Sequence, residues 1–370
     1  MAAVSHRRAD RLVGPDVTRA LALIGVVVLN YHGYLNGSDA AARPGSSWAH
    51  RLLDPFEGVL ATRFAATFML VAGVGVSLLT ARSRASADRA AISEHRWRLA
   101  RRGVLLYAGG FLLDWIWPGT ILFFYGAAFV IAAVLFTLRT RWLVVVGAAA
   151  ALAASAMQWW GVRRTLDGAF PDWLFRPDTL EHRSPRGLLF DTFVNGSHPL
   201  LPWLAFLCAG MVIGRALPQL AVLRVAGGAL VVTALTYIVN HAATNGRADD
   251  LMAITMWSTQ PYDRGLLYTL GTLGTAVTAF CLVSWVAERT RDSGVTRALQ
   301  MAGQMTLSIY AAHVAVFYVV VRWMEAVNPG LGSALLFAGT FWIVAILVGS
   351  MWVRFAGMGP LERVYRRFGG

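Results

Sequence analysis

Residues 16–36, DVTRALALIGVVVLNYHGYLN, decide how the rest of the chain is read. From Ala20 to Leu29 no side chain is polar, so the segment can enter lipid. Asp16 and Arg19 stand at one end of that run, and Asn30, Tyr31 and His32 at the other. Polar and ionisable groups inside a membrane are costly, and where they occur they mark functional interiors. Eleven residues separate Arg19 from Asn30. That is about three helical turns, so the two share nearly one face, with Asp16 a turn earlier. The plainer alternative is a membrane anchor with an interfacial flank.

Composition carries the reading outward. Of 370 residues 56% are hydrophobic and only 14% charged, with 14 Trp; mean hydropathy is +0.54. A soluble chain carries roughly a quarter charged residues, and here the apolar residues fall in long blocks. The net charge of +13 comes entirely from arginine, since the chain has no lysine. Arg7, Arg8, Arg11 and Arg19 lead into the first run. A loop at 81–102 holds Arg82, Arg84, Arg89, Arg96, Arg98, Arg101 and Arg102, and Arg354, Arg363, Arg366 and Arg367 close the chain. Such clusters read as the cytoplasmic side, which argues against nucleic acid as a partner. The 81–102 arginines also suit anionic lipid or phosphate. Cys208 and Cys281 lie in apolar runs with no metal spacing, so no metal site is expected.

The expected fold is all-α: a polytopic transmembrane helix bundle of about ten spans with both termini cytoplasmic. After the first run, spans are predicted at about 61–80, 103–117, 119–138, 142–160, 198–217, 222–240, 265–287, 300–323 and 332–353. Residues 1–160 then form an N-terminal five-helix half, 161–197 an extracytoplasmic cap loop, and 198–370 a C-terminal five-helix half. In the second span Gly73, Gly75 and Ser77 suit close helix approach, with Arg63 at its outer mouth. Trp115 and Trp117 read as an interfacial aromatic belt, and Asp114, one turn inside that tip, as an interfacial carboxylate with a buried acid as the alternative. The cap mixes Phe170, Trp173, Phe175 and Phe190 with charges, and its Glu181-His182 pair is not by itself a metal signature.

A second polar stripe runs through GQMTLSIYAAHVAVFYVV, where Gly303, Thr306, Tyr310, His313 and Phe317 follow helical spacing. Two readings stay open for it: an interhelical hydrogen-bond seam, or the wall of a polar cavity. No internal repeat of the transporter kind is visible.

The opening RLVGPDVTRALALIGVVVLN (11–30) resembles the first span of the YeiB family and of heparan-alpha-glucosaminide N-acetyltransferases. Asp16, Arg19 and Asn30 match, while Ala20 stands where Gly is usual. FAATFMLVAGVGVSLL (64–79), PGTILFFYGAAFVI (118–131) and GPLERVYRRFGG (359–370) are also similar to YeiB segments, with Thr120 and Arg363 as departures. What the acetyltransferase resemblance implies is transfer of an acyl group from acyl-CoA, as co-substrate with no bound cofactor, across a plasma (inner) membrane. The acceptor would be a hydroxyl or amine of an envelope glycan or glycolipid. A loop histidine is catalytic in that family, which implies His50, 23 residues before Gly73, with His32 as rival. Imidazole suits general-base or acyl-carrying work, and Asn30 and Tyr31 suit hydrogen bonding to an oxyanion. The expected substrate-binding residues are Asp16, Arg19, Arg63, Thr306, Tyr310 and His313. Membrane lipids complete the expected partners, and the oligomeric state stays open, a homodimer included. A transporter or flippase using the same polar stripes is the rival from another class, and a non-catalytic scaffold a third.

Overall fold

In lipid a long apolar run satisfies its own backbone only as a helix, and the chain follows that rule. The computed structural model describes residues 12–36, 47–86, 88–175 and 185–369, and among them every regular element is helical. The longer helices, in chain order, are α1 (Gly14–Asn36), α2 (Arg63–Leu79), α3 (Arg89–Asp114), α4 (Leu122–Leu135), α5 (Thr140–Leu166) and α6 (Leu200–Ala216). They continue as α7 (Val222–Thr244), α8 (Leu266–Arg289), α9 (Gly294–Gln304), α10 (Thr306–Phe317), α11 (Leu331–Ala356) and α12 (Pro360–Gly369). Among the described residues six helical stretches are long and apolar enough to cross a membrane: α5, Leu200–Gln219, α7, α8, Thr306–Trp323 and α11. The other apolar runs are helical too. However, α2 and α4 have only 17 and 14 residues, about 26 and 21 Å against a hydrocarbon core of about 30 Å. Charge and polar groups, not length, separate α1 and α3 from the six.

α1 is the hub. It packs against α2, α8, α9, α10 and α11, so four of its five partners come from the 198–370 half. Its first turn is capped from a distance: the backbone N–H groups of Val13 and Gly14 donate to Glu288 of α8, at 2.8 and 3.1 Å. That satisfies amides a helix start leaves orphaned and places a carboxylate at the positive end of the dipole. Ala20, Leu23, Val27 and Tyr31 are buried along its length. Gly303 lets α9 touch α1 directly, since a Cβ there would overlap the Asp16 carbonyl. α2 and α6 meet the same way, with Gly73 against the Leu207 carbonyl. In contrast, α7 buries only Ala226 and Thr236.

Several expectations change in detail. The helical stretch expected over 300–323 breaks at Met305, whose ψ of 23° separates α9 from α10. Asp114 is buried, and its carboxylate accepts from the Gly119 and Thr120 N–H groups at 2.8 and 3.3 Å, fixing the α3–α4 turn. Trp115 is exposed as a belt residue would be, whereas Trp117 is buried and stacks on Tyr34 with ring centroids 3.7 Å apart. α5 runs to Leu166, past the expected cap boundary at 161. Later in the cap, Arg264 donates to the carbonyls of Val194, Asn195 and Gly196, tying that segment to the start of α8. Glu181 and His182 lie outside the described residues.

Candidate functional site

Two chambers lie end to end along one face of α1. Arg19, Leu23, Val26, Asn30 and Gly33 advance by three or four residues and so share that face. The first chamber, about 330 Å³, takes Arg19, Leu23 and Val26 from it. The second, about 600 Å³, takes Val26, Leu29, Asn30, Gly33 and Tyr34. Both volumes are in the range of small-molecule sites. The chambers share three lining residues, Val26, Ile121 and Tyr310. Tyr310 is anchored in that partition by a 2.9 Å hydrogen bond between its hydroxyl and that of Thr120.

The first chamber is basic at its mouth and apolar in its depth. Arg19, Arg102 and Arg366 line it together with one carboxylate, Glu362. Glu362 is already engaged: it accepts from the Leu307 and Ser308 N–H groups at 2.7 and 3.1 Å and from the Ser308 hydroxyl. It therefore caps α10 and fastens α12 over the chamber. Arg102 sits 5.1 Å from the centre of the Tyr365 ring, a cation–π geometry. Burial pushes the Tyr365 hydroxyl up to about 12, so it remains a neutral donor. Arg19 reaches Asp16 and the Gly303 carbonyl only at 3.4 Å each, and Gln304 donates to the other Asp16 oxygen at 3.1 Å.

The second chamber is walled by connections: Pro55 and Phe56, Pro118 and Gly119, Ser197 and His198, and Tyr262. His198 lies just before α6, with Nδ1 2.9 Å from the Ser197 hydroxyl. Burial first, and then the nearby Arg264 charge, push its imidazole down to about 3, so it is neutral at ordinary pH.

The expected site residues divide between lining and support. Arg19, Asn30, Thr306 and Tyr310 line the chambers. His313 is wholly buried and lines neither chamber. Its Nδ1 donates to the Tyr310 carbonyl, which leaves Nε2 to accept from the Asn30 amide at 3.2 Å. Tyr31 donates to the His313 carbonyl at 3.0 Å and stacks on Phe337 at 4.4 Å. Of the two readings of the second stripe, each therefore holds for part of it: Thr306 and Tyr310 form a wall, His313 a seam. Arg63 is buried outside both chambers, donating to the Ala61 and Thr259 carbonyls at 3.3 and 3.1 Å, 5.2 Å from the Tyr268 ring centre.

His32 and His50 do come together, with ring centroids 6.0 Å apart. His32 Nδ1 donates to the Leu53 carbonyl at 2.9 Å, which leaves the lone pair on Nε2. His50 Nδ1 is buried with no hydrogen-bond partner among the described residues. Neither ring lines a chamber, although the segment that carries His50 also supplies Pro55 and Phe56 to the second one. Among the described residues no three His, Cys, Asp or Glu side chains are grouped to hold a metal. Arg102, Tyr365, Arg366, Thr120 and His198 were not singled out from the sequence as site residues. Arg366 was legible there only as charge, Arg102 only within a cluster that suits anionic lipid or phosphate, and Thr120 only as a departure from a family motif.

Residues 215–369 match a family described as Protein of unknown function (DUF418). The match begins at the end of α6 and supplies one wall of the first chamber, from Gly303 to Tyr310 and from Glu362 to Arg366. Comparison with curated proteins finds no match. What these findings establish is a multi-helix membrane-type protein whose C-terminal part is similar to that family.

Proposed function

We propose that the protein is a plasma-membrane acyltransferase that takes an acyl group from acyl-CoA on its arginine-rich side and delivers it to a hydroxyl or amine of an envelope glycan or glycolipid. The observation that carries this reading is the pair of chambers placed end to end on α1, sharing only Val26, Ile121 and Tyr310 among their lining residues. In this reading all ten apolar runs cross the membrane, the short α2 and α4 being packed inside the bundle. Both termini lie in the cytoplasm with the arginines. Arg19, Arg102 and Arg366 meet the donor's phosphates as charge-assisted hydrogen-bond donors, and the acyl chain points down to the partition.

The acceptor oxygen or nitrogen attacks the thioester carbonyl, the C–S bond breaks, and CoA leaves as a thiolate that takes up a proton. The Tyr310 hydroxyl stands where it can donate to the developing oxyanion. The acceptor's proton passes to an imidazole of the His32–His50 pair, which adjoins the loop wall of the acceptor chamber, while His198, held neutral, lines that chamber as a hydrogen-bonding group. The second reading, a transporter or flippase of an envelope metabolite, draws on the same partition, because two chambers in line are also the two halves of a gated path.

The deciding experiment gives labelled acyl-CoA to purified protein in lipid and follows thiol release alongside substrate flux. The enzyme reading expects thiol release that falls about 100-fold when its base is removed, read across His50→Ala and His32→Ala. Flux without thiol release would move the assignment to transport.

A further inference from the structure

Two glycines of α2, two residues apart, sit in opposite surroundings. A Cβ on Gly73 would overlap the Leu207 carbonyl of α6, so that glycine serves helix packing. Gly75 faces the arginine-rich chamber, and a Cβ there would meet only the Arg19 Nη2, at an ordinary 3.6 Å. No neighbouring helix requires glycine at 75. The space beside it belongs to the chamber.

That chamber has two chemically distinct ends. At the mouth, Arg102 and Arg366 line the chamber with Glu362, whose carboxylate is consumed by the start of α10. Arg102 Nε is also buried without a hydrogen-bond partner among the described residues. The mouth is therefore net positive with donor capacity to spare. Deeper in, the walls are Leu23, Phe68, Ala72 and Leu122, down to the partition. From Arg19 to Val26 the depth along α1 is about 10 Å. One leaflet of a bilayer's hydrocarbon is about 15 Å, so a membrane lipid's chain is too long for it and a medium chain is not.

We propose that the arginine-rich chamber binds single-chain amphiphiles with a phosphate-bearing head held by Arg102 and Arg366, and that Gly75, level with Arg19 at the neck between head and apolar depth, keeps the way open for the chain. The inference rests on reading this cavity as the substrate chamber. It names the ligand class and the residue that keeps the neck open to it.

The test measures binding of acetyl-CoA, octanoyl-CoA and octanoyl lysophosphatidic acid to the purified full chain in nanodiscs. Each methylene that finds room tightens binding by roughly four-fold, so wild type should hold octanoyl-CoA at least about ten-fold more tightly than acetyl-CoA. Gly75→Leu should remove about ten-fold of octanoyl-CoA affinity while leaving acetyl-CoA within about two-fold. Gly75→Ala, which adds only an ordinary contact, should fall between and serves as the variant certain to pack. Arg102→Gln and Arg366→Gln should weaken both chain lengths alike. A chain-length profile unchanged in Gly75→Leu overturns the proposal. Lysophosphatidic acid bound in a Gly75-dependent way, with no acyl-CoA binding and no thiol release, would uphold this inference while removing the acyltransferase reading. Binding of none of the three ligands by wild type would overturn both.

Discussion

α1 and α7 are both 23-residue helices, and they live in opposite environments. α7 is the more uniformly apolar, yet it turns nearly all of its surface outward and packs mainly on α8. α1 carries Asp16, Arg19, Asn30 and His32, yet it is enclosed by five other helices. The more polar helix is inside because its polar groups find partners only there: Glu288 for its N-terminus, Gln304 for Asp16, His313 for Asn30. In a membrane, apolarity marks what meets lipid, and the groups that interrupt it mark what meets the rest of the protein or a ligand.

The contrast breaks most visibly at the glycines. Gly303→Leu would drive a side chain into the Asp16 backbone and should destabilise by about 3 kcal/mol or more. Gly227→Leu on α7, where a Cβ meets nothing within 4 Å, should stay within about 0.5 kcal/mol. Denaturant unfolding of both variants in detergent checks the pair, and similar costs would erase the distinction between hub and periphery. A smaller effect is expected at the polar contacts. Asn30→Ala leaves the buried His313 Nε2 without its donor and should cost about 1–3 kcal/mol. Asn240→Ala, which removes a bond from α7 to the Trp257 carbonyl, should cost about 1 kcal/mol or less.

The third effect is a pH dependence at the second chamber. His198 is held at about 3 when folded, against about 6.5 when free. Above about 6.5 neither state binds the proton, and the contribution is fully present. As pH falls from there towards 3 the unfolded chain takes up a proton that the folded one refuses, so stability drops. His198→Gln should flatten this part of the stability–pH curve, measured by thermal unfolding from pH 7 to 4. An unchanged slope would contradict the burial assigned to this ring.

Much of the fold was legible in the sequence because its signal is long-range and simple: apolar runs, arginine clusters, and polar interruptions at helical spacing. The shared face of Arg19 and Asn30 needed only the pitch of a helix. The division of labour along the second stripe was not legible. Thr306, Tyr310 and His313 look alike by spacing, and only the break at Met305 and the approach of α1 decide that two of them line a chamber while the third braces α1. Gly73 and Gly75 were likewise one motif on the page and two different surroundings in the fold. Arg102 and Arg366 lie far apart in the chain, and the docking of α12 that brings them to one mouth depends on Glu362 reaching α10, which no local pattern announces. The nearness of His50 to His32 was not read from the sequence, which offered the two as rivals, and the fold sets the pair beside the chambers and not within them.

Everything rests on one face of α1 lining two water-accessible chambers set end to end. Single cysteines on a background with Cys208 and Cys281 replaced, exposed to a membrane-impermeant thiol reagent, test it most directly. The account predicts reaction at positions 19, 23 and 30 of α1, slowed by octanoyl-CoA at 19 and 23, and none at 20 or 27 of α1 or at 230 or 238 of α7. Labelling of α1 that ignores this spacing, or silence at 19, 23 and 30 alike, would contradict it.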